Sequence, residues 1–300
     1  MEKVFLTEEF SISPLIHGYW RLLDWKLTNQ ELLQFLEELI ELGITTFDHA
    51  NIYGDYECEK TFGEALKLNK TLRKDIQLIT KCGIQLISDK YPARKIKHYD
   101  YSYDHLVSSV NQSLQNFDTD YIDLLLLHRP APFWDPEEIA KAFNDLKKSG
   151  KVLHFGVSNF NPNQFKMLNS FVQDPLVTNQ LEISPFHLEH FENGNLDFLQ
   201  MEKIRPMAWS PTAGGRLFNP KSQKELRIYH QLQDIAEELD IGGIDKIIYS
   251  WLFKHPARII PVIGSGKMER IRNALEAMKI DLSIEQWYKI YSASRGEEVP

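Results

Sequence analysis

The sequence predicts an α/β protein, a (β/α)8 TIM barrel formed by a single domain over residues 1–300. Eight short apolar segments alternate with stretches long enough for a helix, which is typical of parallel strands covered on both faces. Polar and ionisable residues follow at least seven of these segments, and only a closed ring gathers so many strand ends around one opening. A doubly wound open sheet is the alternative, because it is also built from βαβ units.

The predicted strands are rich in Ile, Val, Leu and Phe, which favours buried parallel pairing. They cover residues 15–19, 45–47, 77–80, 122–127, 152–157, 176–178, 205–208 and 259–262. Alternating apolar residues within positions 1–13 predict an N-terminal β-hairpin outside the barrel. Positions 211–223, after the seventh strand, are rich in Gly, Pro and Asn, so we expect a long loop that closes over the barrel opening.

Helix signals lie between the strands. Thr28 and Glu31 form a predicted capping box, followed by apolar residues at intervals of three and four positions. Gly43 predicts a left-handed turn before the next strand. Residues 137–148 repeat this plan, and Pro162 predicts the first position of a further helix.

Composition limits the functional class. The net charge of −8 argues against nucleic acid or an anionic membrane as the partner. Cys58 and Cys82 are too few for a disulfide framework or a cysteine-based zinc site. The N-terminus lacks the apolar core of a signal peptide, and no apolar run has the length of a transmembrane helix. We expect a cytoplasmic protein and favour a monomer, although the sequence does not determine the oligomeric state.

Four chemically active residues follow three successive predicted strands. Asp48 and Tyr53 come after the second strand, Lys81 after the third and His128 after the fourth. Ionisable groups beside buried strands are costly unless they meet one another or water. A nearby ammonium stabilises a tyrosinate, so we expect Lys81 to lower the pKa of Tyr53. Each residue alone is unremarkable, but together they indicate one shared pocket.

These residues, in their local context, resemble the catalytic tetrad of the aldo-keto reductases. The segments that carry the resemblance are Asp48-His49-Ala50-Asn51-Ile52-Tyr53-Gly54, Lys81, His128-Arg129-Pro130, Gly156-Val157-Ser158-Asn159-Phe160, Asn179-Gln180, Trp209-Ser210-Pro211 and Ile263-Gly264-Ser265-Gly266. They occur in the family's order over nearly the whole chain. Within the family, Gly18-Tyr19-Trp20-Arg21 and Trp287 are most similar to a bacterial monomeric branch.

The resemblance implies reduction of aldehydes or ketones to alcohols. Such a reaction needs a hydride, which no side chain supplies, so a nicotinamide cofactor is required. By resemblance, Tyr53 is the acid and base, Lys81 tunes it, Asp48 holds Lys81, and His128 orients the oxygen of a small-molecule carbonyl substrate.

The resemblance also implies a set of cofactor-binding residues. They are Gly18, Tyr19, Ser158, Asn159, Gln180, Trp209, Ser210, Pro211, Gly214, Gly215, Arg216, Leu217, Ile263, Gly264, Ser265, Gly266, Arg270 and Asn273. Ser158, Asn159 and Gln180 match the groups that hold the carboxamide, and Trp209 matches the ring that stacks on the nicotinamide.

The phosphate and adenosine ends of the cofactor fall on the last part of the chain. Residues 214–217 match the pyrophosphate clamp, residues 263–266 a phosphate-binding turn before a helix, and Arg270 with Asn273 the adenosine contacts. Gly264 stands where many members carry a lysine for the 2′-phosphate. Lys267 and Arg270 lie nearby, so we expect NADPH, with NADH less favoured.

Two other functions fit part of the pattern. The same fold serves as a regulatory subunit of potassium channels, so a cofactor sensor is an alternative. A metal-dependent hydrolase or isomerase that uses Asp48, His49 and His128 is another. His49 has no third ligand at useful spacing, so we expect a packing role for it and no metal site. The basic residues 90–97 are expected to form a solvated loop.

Overall fold

The computed structural model describes residues 2–300, and eight of its strands form a closed barrel, which confirms the predicted fold class. The strands are β1 (Val4–Phe5), β2 (Ser11–Ile12), β3 (Ile16–Gly18), β4 (Thr46–Asp48), β5 (Gln77–Cys82), β6 (Ile84–Gln85), β7 (His98–Tyr99), β8 (Ile122–Leu127), β9 (Val152–Ser158), β10 (Asn179–Glu182), β11 (Met207–Trp209) and β12 (Ile260–Ile263). The barrel order is β10-β11-β12-β3-β4-β5-β8-β9, so the open-sheet alternative is wrong.

Helices follow the strands in the predicted alternation. They are α1 (Asn29–Glu41), α2 (Tyr53–Tyr56), α3 (Cys58–Leu66), α4 (Tyr103–Phe117), α5 (Pro136–Lys148), α6 (Pro162–Asn169), α7 (Glu189–Glu192), α8 (Asn195–Met201), α9 (Gln223–Glu238), α10 (Ile244–Lys254), α11 (Met268–Glu276) and α12 (Ile284–Arg295). Short 3₁₀ segments cover Leu22–Trp25, Lys67–Asp75, Ala213–Phe218 and Ala277–Lys279. No helix within residues 2–300 is long and apolar enough to cross a membrane.

The main chain groups into two compact units, one that ends at Asn179 and one that comprises Gln180–Pro300. The assignment of residues 1–300 to a single domain therefore stays a prediction. In the first unit, β3, β4, β5, β8 and β9 pair in parallel, with Asp48 beside Ile79 and Lys81 beside Leu126. Because side chains alternate along a strand, Lys81 points to the same face as Ile79.

The N-terminal hairpin is confirmed for the described residues. β1 and β2 pair antiparallel, with Val4 opposite Ile12, and Met1 lies outside the described residues.

Local helix signals are also confirmed. Thr28 caps α1, because its hydroxyl accepts from the Glu31 amide while Glu31 accepts from the Thr28 amide. Gly43 adopts the predicted left-handed conformation, with φ of 84°.

In the second unit, β10, β11 and β12 pair in parallel. Aromatic packing joins α10 to α12. The rings of Trp251 and Trp287 stack with centroids 5.0 Å apart, and each indole N–H donates to the other residue's carbonyl at 3.1 Å. These reciprocal bonds satisfy both indole donors.

The predicted sixth strand is wrong in position. The prediction took the apolar pair Leu176 and Val177 as its centre, whereas the strand is Asn179–Glu182. Residues 177 and 178 do bond to β9, because the Val177 amide donates to Phe155 and the Val157 amide donates to Thr178. The strand that continues toward β11 begins with the polar residues Asn179 and Gln180, which are buried there. The predicted apolar run, residues 176–178, therefore lies directly before this strand and is not part of it.

Candidate active site

The centre of the candidate site is the buried ammonium of Lys81 on β5. Its Nζ donates to Asp48 Oδ1 at 2.8 Å, Asp48 Oδ2 at 2.7 Å and the His49 carbonyl at 2.8 Å. It also lies 3.3 Å from the hydroxyl of Tyr53. Lys81 and Asp48 are only 1% and 3% exposed, so each charge depends on the other for compensation. The structure thus brings together three of the four predicted catalytic residues by direct contact.

Tyr53 is the first residue of α2 and precedes a strained turn. Gly54, Asp55 and Tyr56 have φ of 58°, 52° and 68°, a conformation that costs energy for the two residues that are not glycine. The turn allows Tyr53 to point toward Lys81. Its ring meets the imidazole of His128 edge-on, with centroids 5.9 Å apart, so the fourth predicted catalytic residue packs against the Tyr53 ring.

The main-chain amide of Leu86 and the side chains of Lys90 and Arg94, from the basic residues 90–97, bond to this turn. The Tyr56 hydroxyl accepts from the Leu86 amide at 3.0 Å and from Arg94 Nη1 at 2.8 Å. Lys90 donates to the Asp55 carbonyl and pairs with Glu57. Residues 90–97 form the solvated loop that the sequence predicts, and Lys90 and Arg94 in addition bond to this turn.

The pKa of Tyr53 is raised, and the prediction that Lys81 lowers it below its ordinary value is wrong in net direction. Burial of the phenol is the largest effect and raises the pKa, while the Lys81 charge opposes it. Asp48 also raises it, since its carboxylate cancels much of the field of Lys81. The hydroxyl is therefore protonated at neutral pH.

His128 is a neutral imidazole at the end of β8. Burial holds its pKa well below the ordinary range, and the positive charges of Lys81, Arg129 and Lys97 act in the same direction. Its Nδ1 is buried without a hydrogen-bond partner among residues 2–300. A neutral imidazole still carries one N–H, so His128 is able to donate a hydrogen bond to an oxygen beside Tyr53.

His49 takes the packing role that the sequence predicts. Its ring stacks on Tyr19 with centroids 4.6 Å apart and meets Phe62 and Phe117 edge-on. Within the described part of the chain, no group of three or more His, Cys, Asp or Glu side chains is placed to hold a metal ion.

The predicted cofactor residues of the first unit lie at strand ends. Ser158 ends β9, and Asn159 has φ of 63° and donates from Nδ2 to the Ser158 hydroxyl at 2.7 Å. Gly18 ends β3 beside Asp48. The side chain of Tyr19 is fully buried in the aromatic core around His49, so only its main chain is available to a cofactor.

The remaining predicted cofactor residues belong to the second unit. Gln180 lies in β10, Trp209 ends β11, and Ser210 follows with φ of 51°. The segment after β11 contains a 3₁₀ turn, Ala213–Phe218, in which Gly214 and Gly215 have positive φ. Pro211 is buried before this turn, Leu217 is buried within it, and Arg216 is exposed and pairs with Glu225 at 3.7 Å.

A cavity of about 600 Å³ lies within the second unit. Its lining residues are Phe218, Tyr229, Gln233, Ala236, Glu237, Ile241, Gly243, Ile244, Asp245, Lys267, Glu269, Arg270 and Asn273. Asn273 donates to Asp245 at 2.8 Å, and the Arg270 guanidinium lies 5.9 Å from the Phe218 ring centroid. The lining combines an aromatic face, amides, the two cations Lys267 and Arg270 and three carboxylates, Glu237, Asp245 and Glu269. The two cations are the groups that would contact a phosphate.

The turn from Ile263 to Gly266 leads into α11 next to this cavity. Ile263 is buried at the end of β12, whereas Gly264 and Gly266 are exposed. The Ser265 hydroxyl accepts from the Lys267 amide at 3.2 Å, which shapes the entry into α11 at Met268. Small residues before a helix N-terminus allow main-chain amides to approach an anion.

Sequence reasoning missed one buried acid close to the site. Glu59 on α3 is 1% exposed and accepts three side-chain hydrogen bonds. It occupies the buried face of α3 with Phe62 and Leu66, three and seven positions further on. A carboxylate within an apolar helical stripe was the available signal.

Chemically, the first unit presents a protonated phenol against a compensated ammonium and a neutral imidazole at the strand ends of a barrel. This arrangement defines an oxidoreductase site for carbonyl groups once a hydride carrier is bound. The family comparison agrees with this class. The model of the Aldo/keto reductase family matches residues 14–295, and the chain belongs to that family of NAD(P)H-dependent oxidoreductases.

Individual relatives cover the whole chain. It is 48% identical over 300 residues to the oxidoreductase YcsN of Bacillus subtilis, with 100% of both chains covered. It is 39% identical over 302 residues to a 6-dehydroglucose reductase of Agrobacterium fabrum, again with 100% of each covered. A crystallised thermostable aldo-keto reductase, Tm1743, solved with the inhibitor epalrestat, is 26% identical with a TM-score of 0.81, and the match covers 98% of this chain and 100% of that one.

Proposed function

We propose that this protein reduces aldehydes or ketones to alcohols with NADPH, and that Tyr53 donates the proton. The observation that carries the proposal is the position of the Tyr53 hydroxyl, 3.3 Å from an ammonium that Asp48 holds in place. When bound, NADPH supplies the hydride that no side chain can supply.

The site residues divide the proton chemistry among them. Tyr53 begins protonated, because its pKa is raised, and so has a proton to give. Lys81 stabilises the phenolate that remains after transfer, and Asp48 keeps Lys81 in contact. His128, being neutral, donates a hydrogen bond to the same substrate oxygen and orients it.

The predicted binding residues are assigned to the two ends of the cofactor, the nicotinamide and the adenosine. Ser158, Asn159 and Gln180 carry the hydroxyl and amide groups that a carboxamide needs. At the adenosine end, Lys267 and Arg270 line the cavity and would hold the 2′-phosphate that distinguishes NADPH from NADH. Glu237, Asp245 and Glu269 line the same cavity, so the preference depends on the two cations outweighing these three carboxylates at the 2′-phosphate.

The substrate is a small carbonyl compound, and a sugar aldehyde is the first candidate. The 39% identical relative from Agrobacterium fabrum is named a 6-dehydroglucose reductase. A panel of aldehydes of sugars and of simple aromatic compounds would identify the preferred class.

Cofactor choice is tested by titrating the purified protein with NADPH and NADH while tryptophan fluorescence is followed. We expect tighter binding of NADPH. Lys267→Ala should weaken NADPH binding and leave NADH binding unchanged, whereas Lys279→Ala, an exposed lysine outside the cavity, should change neither. Equal affinity for both cofactors would remove the NADPH assignment. Sedimentation of the same sample tests the expected monomer.

The proton donor is tested with Tyr53→Phe. Loss of a general acid typically costs about 10²–10⁴-fold in rate, so we expect kcat to fall by this factor with NADPH affinity retained. Tyr103→Phe, which removes an exposed hydroxyl bonded to Asp145, is the matched control and should keep full activity. Full activity in Tyr53→Phe would contradict the proposed donor.

A further inference from the structure

A buried carboxylate on α3 lies directly behind the strand that carries Lys81. Glu59 Oε1 accepts from the Thr80 hydroxyl at 2.6 Å and from the Ser113 hydroxyl at 2.9 Å, and Oε2 accepts from Asn116 Nδ2 at 3.0 Å. Thr80 lies on β5, and Ser113 with Asn116 lies on α4. One side chain therefore joins α3, α4 and β5.

The surrounding donors are those that an ionised carboxylate requires. Gln112 donates to Asn116 Oδ1 at 3.1 Å, which fixes the amide so that its NH₂ group faces Glu59. Two hydroxyls and this NH₂ group then supply three donors to a group that, when ionised, only accepts. Burial raises the pKa of Glu59, and the three hydrogen bonds together with the charge of Lys81 oppose that rise.

Thr80 connects this acid to the active site. It directly precedes Lys81, and neighbouring residues of a strand point to opposite faces. Thr80 thus points out to Glu59 while Lys81 points in to Asp48 and Tyr53. Glu59 is also only two positions beyond Glu57, whose amide bonds back to the Tyr53 carbonyl, so the acid is tied to both sides of the Lys81–Tyr53 contact.

We propose that Glu59 is a positioning residue of the active site: it fixes β5 so that the Lys81 ammonium stays against Tyr53, and it adds a second buried negative charge behind that ammonium. The inference rests on the proposed role of Tyr53 as proton donor. The second charge favours the ammonium form of Lys81 and disfavours the phenolate of Tyr53.

Other ionisable groups around these residues do not replace Glu59. Cys58 and Cys82 interact electrostatically with Glu59, and burial raises their pKa values to about 11 and about 12, so both are neutral thiols. Tyr53 faces Lys81 and Asp48, with Arg129 and His128 beyond. Asp48 and Glu59 are thus the buried acids whose charge acts on Lys81.

The test follows the ionisation of Tyr53 directly and does not need activity. Protein labelled with ¹³C at tyrosine Cζ is titrated by NMR from about pH 7 to 11, and Tyr53→Phe identifies the resonance. We expect Glu59→Gln to move the Tyr53 transition to lower pH by about half a unit or more, the order of a charge several ångströms away. Reduction of 4-nitrobenzaldehyde by NADPH is measured in parallel, and kcat should fall about tenfold with NADPH affinity unchanged.

Two further variants separate charge from linkage. Thr80→Val keeps the carboxylate and removes its link to β5, so kcat should fall while the Tyr53 transition moves less than in Glu59→Gln. Asp123→Asn is the control, since Asp123 is another buried carboxylate that anchors β5, through the Leu78 amide at 2.9 Å. It should lower stability without changing the Tyr53 transition or kcat.

The outcomes decide separately on the two proposals. A Tyr53 transition in Glu59→Gln that coincides with wild type overturns the role of Glu59. Where the transition lies above pH 11 in both proteins, a wild-type kcat in Glu59→Gln overturns it. A shifted transition in a protein that reduces no carbonyl compound supports Glu59 and overturns the proposed function. If Glu59→Gln does not fold, Thr80→Val with wild-type kcat overturns the positioning role.

Discussion

At the scale of single residues, the pairing of Lys81 with Asp48 determines the character of the site. Lys81 Nζ has three acceptors within 2.8 Å, which together replace the water that this ammonium loses on burial. A buried ion pair adds little net stability compared with apolar residues, but removal of one partner leaves an uncompensated charge. The pair is therefore best explained by the position it gives to the Tyr53 hydroxyl.

Lys81→Met should destabilise the fold by about 3–5 kcal/mol, because the buried Asp48 would lose the opposite charge that compensates it. The double variant Asp48→Asn with Lys81→Met should recover most of this loss, since no charge is left unpaired. Urea unfolding at neutral pH measures both. Lys67→Met, which breaks an exposed pair with Glu64, serves as the control and should leave stability nearly unchanged, because water screens an exposed pair. A Lys81→Met protein as stable as wild type would contradict the compensation argument.

The identities of the site residues were predictable from sequence, but their energetics were not. Asp48, Tyr53, Lys81 and His128 each follow a recognisable strand, so their meeting in one pocket follows from barrel topology. The net pKa of Tyr53 depends on the balance between burial and two opposing charges, and a linear pattern contains none of those distances. Glu59 was missed for a related reason, because its donors come from β5 and α4.

At the scale of elements, the close contact between α3 and α4 keeps Glu59 within reach of its partners. Gly63 makes this contact possible. A Cβ there would lie 1.9 Å from the Asn116 carbonyl oxygen and 2.8 Å from Phe117 Cα, both of which are main-chain atoms that cannot move aside. The absence of a side chain at Gly63 is therefore required by packing and not by backbone conformation.

Gly63→Ala should force α3 away from α4 and destabilise the protein by roughly 1–3 kcal/mol, the usual cost of overpacking. Gly242→Ala is the matched control, since a Cβ there has no neighbour within 4 Å and the backbone is not left-handed. Thermal and urea unfolding of the two variants give the comparison. Equal stabilities for Gly63→Ala and Gly242→Ala would show that the helices adjust at little cost.

Elements specified by local chemistry were predicted well, and the element specified by distant pairing was not. The capping box of Thr28 and the proline start of α6 depend on side chains within four positions of each other. The sixth barrel strand depends on which main-chain atoms β11 can reach, and it buries Asn179 and Gln180. Polar residues in a strand core are an exception to the hydrophobic pattern, and Gln180 also belongs to the predicted cofactor site.

At the scale of the whole molecule, buried imidazoles determine how the stability of the fold depends on pH. Within residues 2–300, burial lowers the pKa of His49, His105, His128, His154, His190 and His255. Glu59 and Asp123 act in the opposite sense, because burial raises their pKa values. In the unfolded chain a histidine titrates at about pH 6.5. Below this pH the unfolded state therefore binds protons that the folded histidines do not bind.

The free energy of unfolding should therefore fall as the pH is lowered from about 6.5 toward 5, above the range in which most carboxylates titrate. Six histidines favour the unfolded state in this window, and the two raised carboxyl groups offset only part of the effect. For His49 and His128, which are enclosed, the unfolded chain binds nearly one proton each that the folded protein does not bind. Urea unfolding between pH 7.5 and 5 measures the loss. His154→Gln, which removes a histidine whose pKa is lowered to about 4, should reduce the slope, while His230→Gln at an exposed position should not. A stability that is flat or rises over this range would mean that the buried imidazoles are protonated in the folded protein, and the neutral form assigned to His128 would have to be abandoned.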